Sequence, residues 1–183
     1  MANDPFARLP EVPSFTLTSD DVTDGSPFAP AQLSGMFGLP GGRDESPQLS
    51  WTGAPAETRS FAVTVYDPDA PTMSGFWHWA VANLPADTSS LPAGAGDPDL
   101  ALLPEGAITV PNEVRAPRFV GAAPPAGHGE HRYVITVHAL DVDDIGVPDD
   151  CTPAFLGFTM ASHILARATI VATAETPAEP AAE

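Results

Sequence analysis

Residues 66–79 read YDPDAPTMSGFWHW and residues 128–138 read HGEHRYVITVH. Together they hold the side chains best suited to chemistry: Asp67, Asp69, His78, His131 and Tyr133. A single proline separates Asp67 from Asp69 and Pro71 follows, so the two carboxylates sit on a stiff turn. Such a turn either aims its carboxylates at a partner or uses them to cap its own amides. Two histidines, a phenol and backbone N–H groups make a donor-rich hollow suited to phosphate, phosphonate or carboxylate oxygens. A carboxylate beside a histidine accepts the far N–H, fixes the tautomer and favours the charged ring, leaving the other nitrogen to face an anion. Anion binding is then expected to strengthen as pH falls through the histidine range.

The same residues suit catalysis less well. No serine or cysteine in these stretches has the surroundings of a nucleophile, and a tyrosine serves only if its pKa is strongly lowered. Asp67, Asp69, His78 and His131 are chemically competent ligands for Zn²⁺ or Mn²⁺, but no HExxH-type spacing accompanies them. The expectation is a binding protein that is not an enzyme and needs no cofactor. A metal-assisted hydrolase is the lesser alternative. Cys151 follows Asp149 and Asp150, an acidic setting that disfavours a thiolate.

These residues are presented by β-type sequence. Phe61 to Tyr66, Trp77 to Leu84 and Arg132 to Leu140 are rich in β-branched and aromatic residues, with weaker strand signals at Ser14 to Thr18 and Ile108 to Val110. Side-chain alternation puts His78 on one face with Ala80 and Ala82, opposite Trp77, Trp79 and Val81. It puts His131 and Tyr133 on a common face, opposite Arg132 and His138. Before the second histidine strand runs VGAAPPAGHG, whose small residues and paired prolines leave the main chain open to a ligand. His128 in that loop reads as a solvated residue or a pocket rim. Long Gly/Pro-rich loops cover Phe37 to Pro47 and Pro85 to Pro98. One helix is signalled near the C-terminus: Thr152 as N-cap, Pro153 at the first position, then an apolar pattern to Val171 with Phe155, Phe158, Ile164 and Leu165 on the buried side.

At 183 residues the chain suits one hydrophobic core. The expected division is an N-terminal extension over 1–13, one domain over 14–172, and an acidic disordered tail over 173–183. Twenty-four acids against seven bases, all arginine, give a formal net charge of -17. A field of that sign repels nucleic acid and anionic membranes. One cysteine excludes an internal disulfide, and no apolar run reaches the length of a membrane span, so a cytoplasmic protein is expected.

The DPDAP turn, the Trp-His strand ending in Asn83-Leu84, and the Gly121-x-x-Pro124-Pro125 loop followed by His131-Arg132-Tyr133 together resemble the phosphatidylethanolamine-binding protein family, also called Raf kinase inhibitor protein. The similarity runs from about Phe15 to Val171, and GFWHW and SPQLSW point to its bacterial branch. The resemblance implies a mainly β, sandwich-like fold of antiparallel sheets with a few short helices and one C-terminal helix. It also implies a small anion cavity using Asp67, Asp69, Pro71, His78, Gly121, Pro124, Pro125, His131 and Tyr133. The implied ligand is a phosphorylated head group such as phosphoethanolamine, or a similar anion. Inhibition of a kinase or other enzyme is the alternative role, and a homodimer using aromatics near Phe28, Phe37 and Trp51 is a further expectation. The chain departs from the family at Ala123, where many members carry glycine, and at Trp79, where eukaryotic members often carry phenylalanine.

Overall fold

A computed structural model describes residues 4–178. Nine strands form two sheets. A small antiparallel sheet has the order β1-β3-β6, from Thr16–Thr18, Leu49–Thr52 and Ser90–Leu91. The large sheet has the order β2-β9-β8-β4-β5-β7, from Ser26–Pro27, Ile164–Ala174, His131–Leu140, Ser60–Asp67, Phe76–Pro85 and Ile108–Thr109. Its ladders are antiparallel except for the short parallel pairing of β2 with β9.

The sandwich core lies between the sheets. Leu17, Leu49, Trp51 and Leu91 of the small sheet meet Phe61, Val63, Val65, Trp79, Val81, Ile135 and Val137 of the large one. Trp51 contacts Phe61 edge-on at 5.4 Å between ring centroids. The other face of the large sheet is covered by α1, Pro153–Met160, whose Leu156 and Met160 pack on Ala62, Ala80, Ala82 and Leu140. The central strands are thus buried on both faces, which is why β4 is mostly apolar with no alternation of buried and exposed positions.

The C-terminal helix is much shorter than the sequence suggested. Its start is as expected, with the Thr152 hydroxyl accepting from the Phe155 N–H at 3.2 Å. It stops at Met160, and Ile164–Ala174 instead forms β9, paired with β8 over ten positions. Phe155 and Phe158 are exposed, and Ile164 and Leu165 are strand residues, so the expected buried helical face does not exist. In β9 the inward residues are Ala166, Ala168, Ile170 and Ala172, and these small residues hid the period of two within an alanine-rich, helix-like composition. The strand runs to Ala174, inside the stretch expected to be a disordered tail, and residues 179–183 of that stretch lie outside the described residues. Phe28 and Trp51, considered for a dimer interface, are buried in the core. Among the described residues no helix is long and apolar enough to cross a membrane.

Candidate functional site

The register of β4 against β5 brings the two histidine strands together. Val65 pairs with Trp79 but Tyr66 pairs with Trp77, so β5 carries one additional residue, His78, at that point. A β-bulge re-aims the side chain at the irregularity. His78 therefore leaves the face of Ala80 and Ala82 and turns to Tyr133, with the rings 5.0 Å apart. Simple alternation had put it on the opposite face. His131 and Tyr133 share the face expected of them, and His138 points away to hydrogen bond with Thr64 at 3.1 Å.

These side chains meet in a cavity of about 430 Å³ lined by Asp67, His78, His131 and Tyr133, with Pro71, Pro124 and Pro125 among its walls. Phe37, Leu39 and Phe76 supply apolar wall on the outer side. Asp67 is the anchor, buried to 3% exposure. Its Oδ1 accepts from the N–H groups of Asp69 at 2.7 Å and Ala70 at 2.9 Å, closing the turn, while Oδ2 accepts from His131 Nδ1 at 2.7 Å. One carboxylate thus both caps its own loop and orients the histidine. Because Nδ1 of His131 must carry a proton to reach Asp67, its Nε2 is the nitrogen free to accept when the ring is neutral. That nitrogen lies 2.7 Å from Nδ1 of His128, forming a chain Asp67–His131–His128 that sequence reasoning missed. The only signal was the i, i+3 spacing of the two histidines across Gly129.

His78 donates from Nδ1 to the carbonyl of Val120 at 2.7 Å, which leaves Nε2 with a lone pair in the neutral ring. Burial pushes its pKa below the ordinary histidine value; the carbonyls of Val120 and Gly121 and the Asp67 carboxylate pull the other way without overcoming it. The Tyr133 hydroxyl is buried and makes no hydrogen bond of ordinary geometry with any of the described residues. Its pKa is raised, chiefly by burial and then by Asp67, with the Ala123 main chain opposing, so the phenol stays protonated. An O–H donor without an acceptor is what a ligand oxygen would satisfy.

Two expected site residues are placed elsewhere. Asp69 faces Arg132 in a two-pronged pair, with both side-chain contacts at 2.7 Å, and also accepts from the Arg132 N–H at 3.0 Å. Those bonds hold its carboxyl below the usual range and fasten the turn to the start of β8. Gly121 does not line the cavity: a Cβ there would lie 2.4 Å from the Leu33 carbonyl carbon, so glycine is needed for two backbones to approach. Its N–H donates to Asp44 Oδ1 at 2.8 Å. Asp44, unremarkable in the sequence, also accepts from the Ser34 hydroxyl and the Met36 N–H, both at 2.8 Å, and so fixes the loop that sets Phe37 and Leu39 on the cavity wall. Among the described residues no group of three or more His, Cys, Asp or Glu side chains is arranged to hold a metal ion.

A two-sheet β fold with a partly apolar, donor-bearing cavity at one end of its central strands defines the class of protein. Residues 18–175 match the phosphatidylethanolamine-binding protein family, and the chain belongs to that family. It is 45% identical to the UPF0098 protein YbhB of Escherichia coli over 156 residues, covering 85% of this chain and 97% of that one. The crystal structure of Escherichia coli YbcL, described as a new member of the mammalian PEBP family, superposes with a TM-score of 0.85 at 40% identity, covering 88% of this chain and 98% of YbcL. A PEBP homolog from Chlamydia trachomatis superposes with a TM-score of 0.74 at 28% identity, covering 89% and 98% of the two chains.

Proposed function

We propose that the protein binds a small phosphorylated anion, phosphoethanolamine-like or similar, in the cavity between β5 and β8, without turning it over. The observation that carries this reading is the buried Tyr133 hydroxyl, without a hydrogen-bond partner among the described residues and beside His78 in a cavity of about 430 Å³. The volume exceeds the needs of inorganic phosphate and suits a phosphate bearing an organic substituent against Phe37, Leu39 and Phe76. Absence of turnover is supported by the nucleophile candidates. The Tyr133 pKa is raised, and burial and Asp150 push the Cys151 thiol up as well. The single cysteine fits a cytoplasmic site of action.

An anion beside His78 adds its negative charge to that of Asp67, so it should raise the His78 pKa and draw a proton in. The charged and titratable groups facing His78 are Asp67, His131 and Tyr133. The free ring has the lower pKa and the bound ring the higher one. Affinity is therefore expected to rise as pH falls through the bound value, and to level off below the free one. Titrating phosphate and O-phosphoethanolamine while following the histidine ring signals tests this, with Tyr133→Phe as comparison. The variant should bind about five- to tenfold more weakly yet unfold no more easily, since it removes a donor that the empty protein leaves unsatisfied. A wild-type titration in which no histidine ring responds would overturn the reading.

Inhibition of a partner enzyme is the second reading. Met36 and Phe37 are half-exposed, and Met73, following Pro71 and Thr72 of the cavity wall, is fully exposed, giving a partner an apolar rim to contact.

A further inference from the structure

An anion in the cavity can hydrogen bond to His131 only through a ring nitrogen, and both ring nitrogens are engaged. Nδ1 is held by Asp67 Oδ2, buried with the ring, while Oδ1 of the same carboxylate caps the turn and fixes the carboxylate in place. Nε2 is held by His128, with ring centroids 4.9 Å apart and planes at 70°. The two sides of the chain are very unlike. His131 is 1% exposed within β8, whereas His128 is exposed on a loop between Gly127 and Gly129, whose φ values are 72° and 95°. The backbone there is pinned, with Gly127 donating to the Thr176 carbonyl at 2.9 Å and His128 to that of Pro125 at 3.1 Å. What is free to change is the side-chain rotamer of His128, a rapid motion for an exposed ring.

We propose that His128 is a displaceable cap on the anion site: its Nδ1–H donates to Nε2 of His131 in the ligand-free protein, and it swings away so that Nε2 accepts instead from the P–OH group of an entering hydrogen phosphate. The inference rests on the anion reading above and adds a residue that sets affinity from outside the cavity wall. His128 is absent from the residues lining the cavity, so its effect runs through His131. Loss of its hydrogen bond is compensated by water at the surface, and the anion takes the place of His128 on His131. The apparent affinity for the anion is the intrinsic affinity reduced by the fraction of molecules with the cap open.

The test is a calorimetric titration of inorganic phosphate into the full chain and into His128→Ala and His128→Asn, with ring-nitrogen NMR on the wild type. Removing the cap should tighten phosphate binding by about three- to tenfold, the worth of one exposed neutral hydrogen bond. An asparagine amide nitrogen can stand where Nδ1 stands, so His128→Asn should stay within about twofold of wild type. The wild-type His128 Nδ1 signal should lose its hydrogen-bonded character as phosphate saturates. Unchanged or weaker binding by His128→Ala, or a His128–His131 bond that persists at saturation, overturns the cap and leaves the anion site standing. Binding by neither wild type nor His128→Ala, with both folded, overturns site and cap together. Binding by His128→Ala alone keeps both and makes the cap stronger than one such bond.

Discussion

Asp67→Ala is expected to lower stability by about 3–5 kcal/mol, the range for removing one partner from a buried charged network. For a chain of this size that corresponds to a fall in Tm of roughly 6–20 °C, read by thermal unfolding at neutral pH. The reason is the number of donors that depend on one side chain. The N–H groups of Asp69 and Ala70 and the Nδ1–H of His131 all lose their acceptor. The turn they close carries Ala70, Pro71 and Thr72 of the cavity wall, so the site should loosen with the fold. A fall of under about 1 kcal/mol, the size of a surface effect, would mean that the turn holds itself through Pro71 and the Asp69–Arg132 pair alone.

Asp67→Asn separates the structural part from the electrical part. The amide oxygen still accepts from the two turn N–H groups, so the stability cost should drop to about 1–2 kcal/mol. Its NH₂ group then faces His131 Nδ1, which must become an acceptor, and the ring proton moves to Nε2. The whole chain reverses, because His128 Nδ1 now has to accept. Having lost the Asp67 charge and the tautomer that Asp67 holds, the site is expected to bind phosphate about tenfold or more weakly. Ring-nitrogen NMR reads the tautomer directly, and an unchanged Nδ1–H on His131 would refute the assignment.

How far the sequence reveals this site can be judged from six residues. His131 and Tyr133 were legible because an extended chain repeats every two residues and β8 is regular where they lie, and Asp67 because it opens a turn stiffened by Pro68 and Pro71. His78 was named as a pocket residue by family resemblance, while alternation sent it to the wrong face. The bulge that corrects it is a matter of register between two strands, which no single segment encodes. Asp69 and Gly121 belong to the same motifs but brace the site from behind, one through Arg132 and one by permitting contact with Leu33. Motif spacing cannot separate a residue that touches a ligand from one that holds its neighbour. The strands β4, β5 and β8 were readable to within a residue or two because they are buried on both faces and rich in β-branched or aromatic residues. β9 was missed because its inward positions are mostly alanine.

Acid should unfold this protein through two buried histidines before its carboxylates matter. His138 is fully buried, bonded to Thr64 and opposite Arg167 in the ladder, and burial with help from Arg167 pushes its pKa from 6.5 to about 3. The folded value is the depressed one. The unfolded chain therefore takes up the proton first, and stability present above pH 6.5 is lost as pH falls toward 3. At about 1.4 kcal/mol per pH unit the full loss from this residue is on the order of 5 kcal/mol. His78, also buried with a lowered pKa, adds to the slope over the same range. Denaturant titrations from pH 7 to 4 should show stability falling with up to two protons taken up per molecule. His138→Gln, which keeps an amide donor for Thr64 but does not titrate, should remove one of them. Phosphate separates the pair, because an anion beside His78 makes its protonated form favourable and reverses that residue's contribution while leaving His138 untouched. Saturating phosphate should then stabilise the protein more at pH 5 than at pH 7, in wild type and His138→Gln alike. Equal stabilisation at both values would mean that the anion draws no proton to His78.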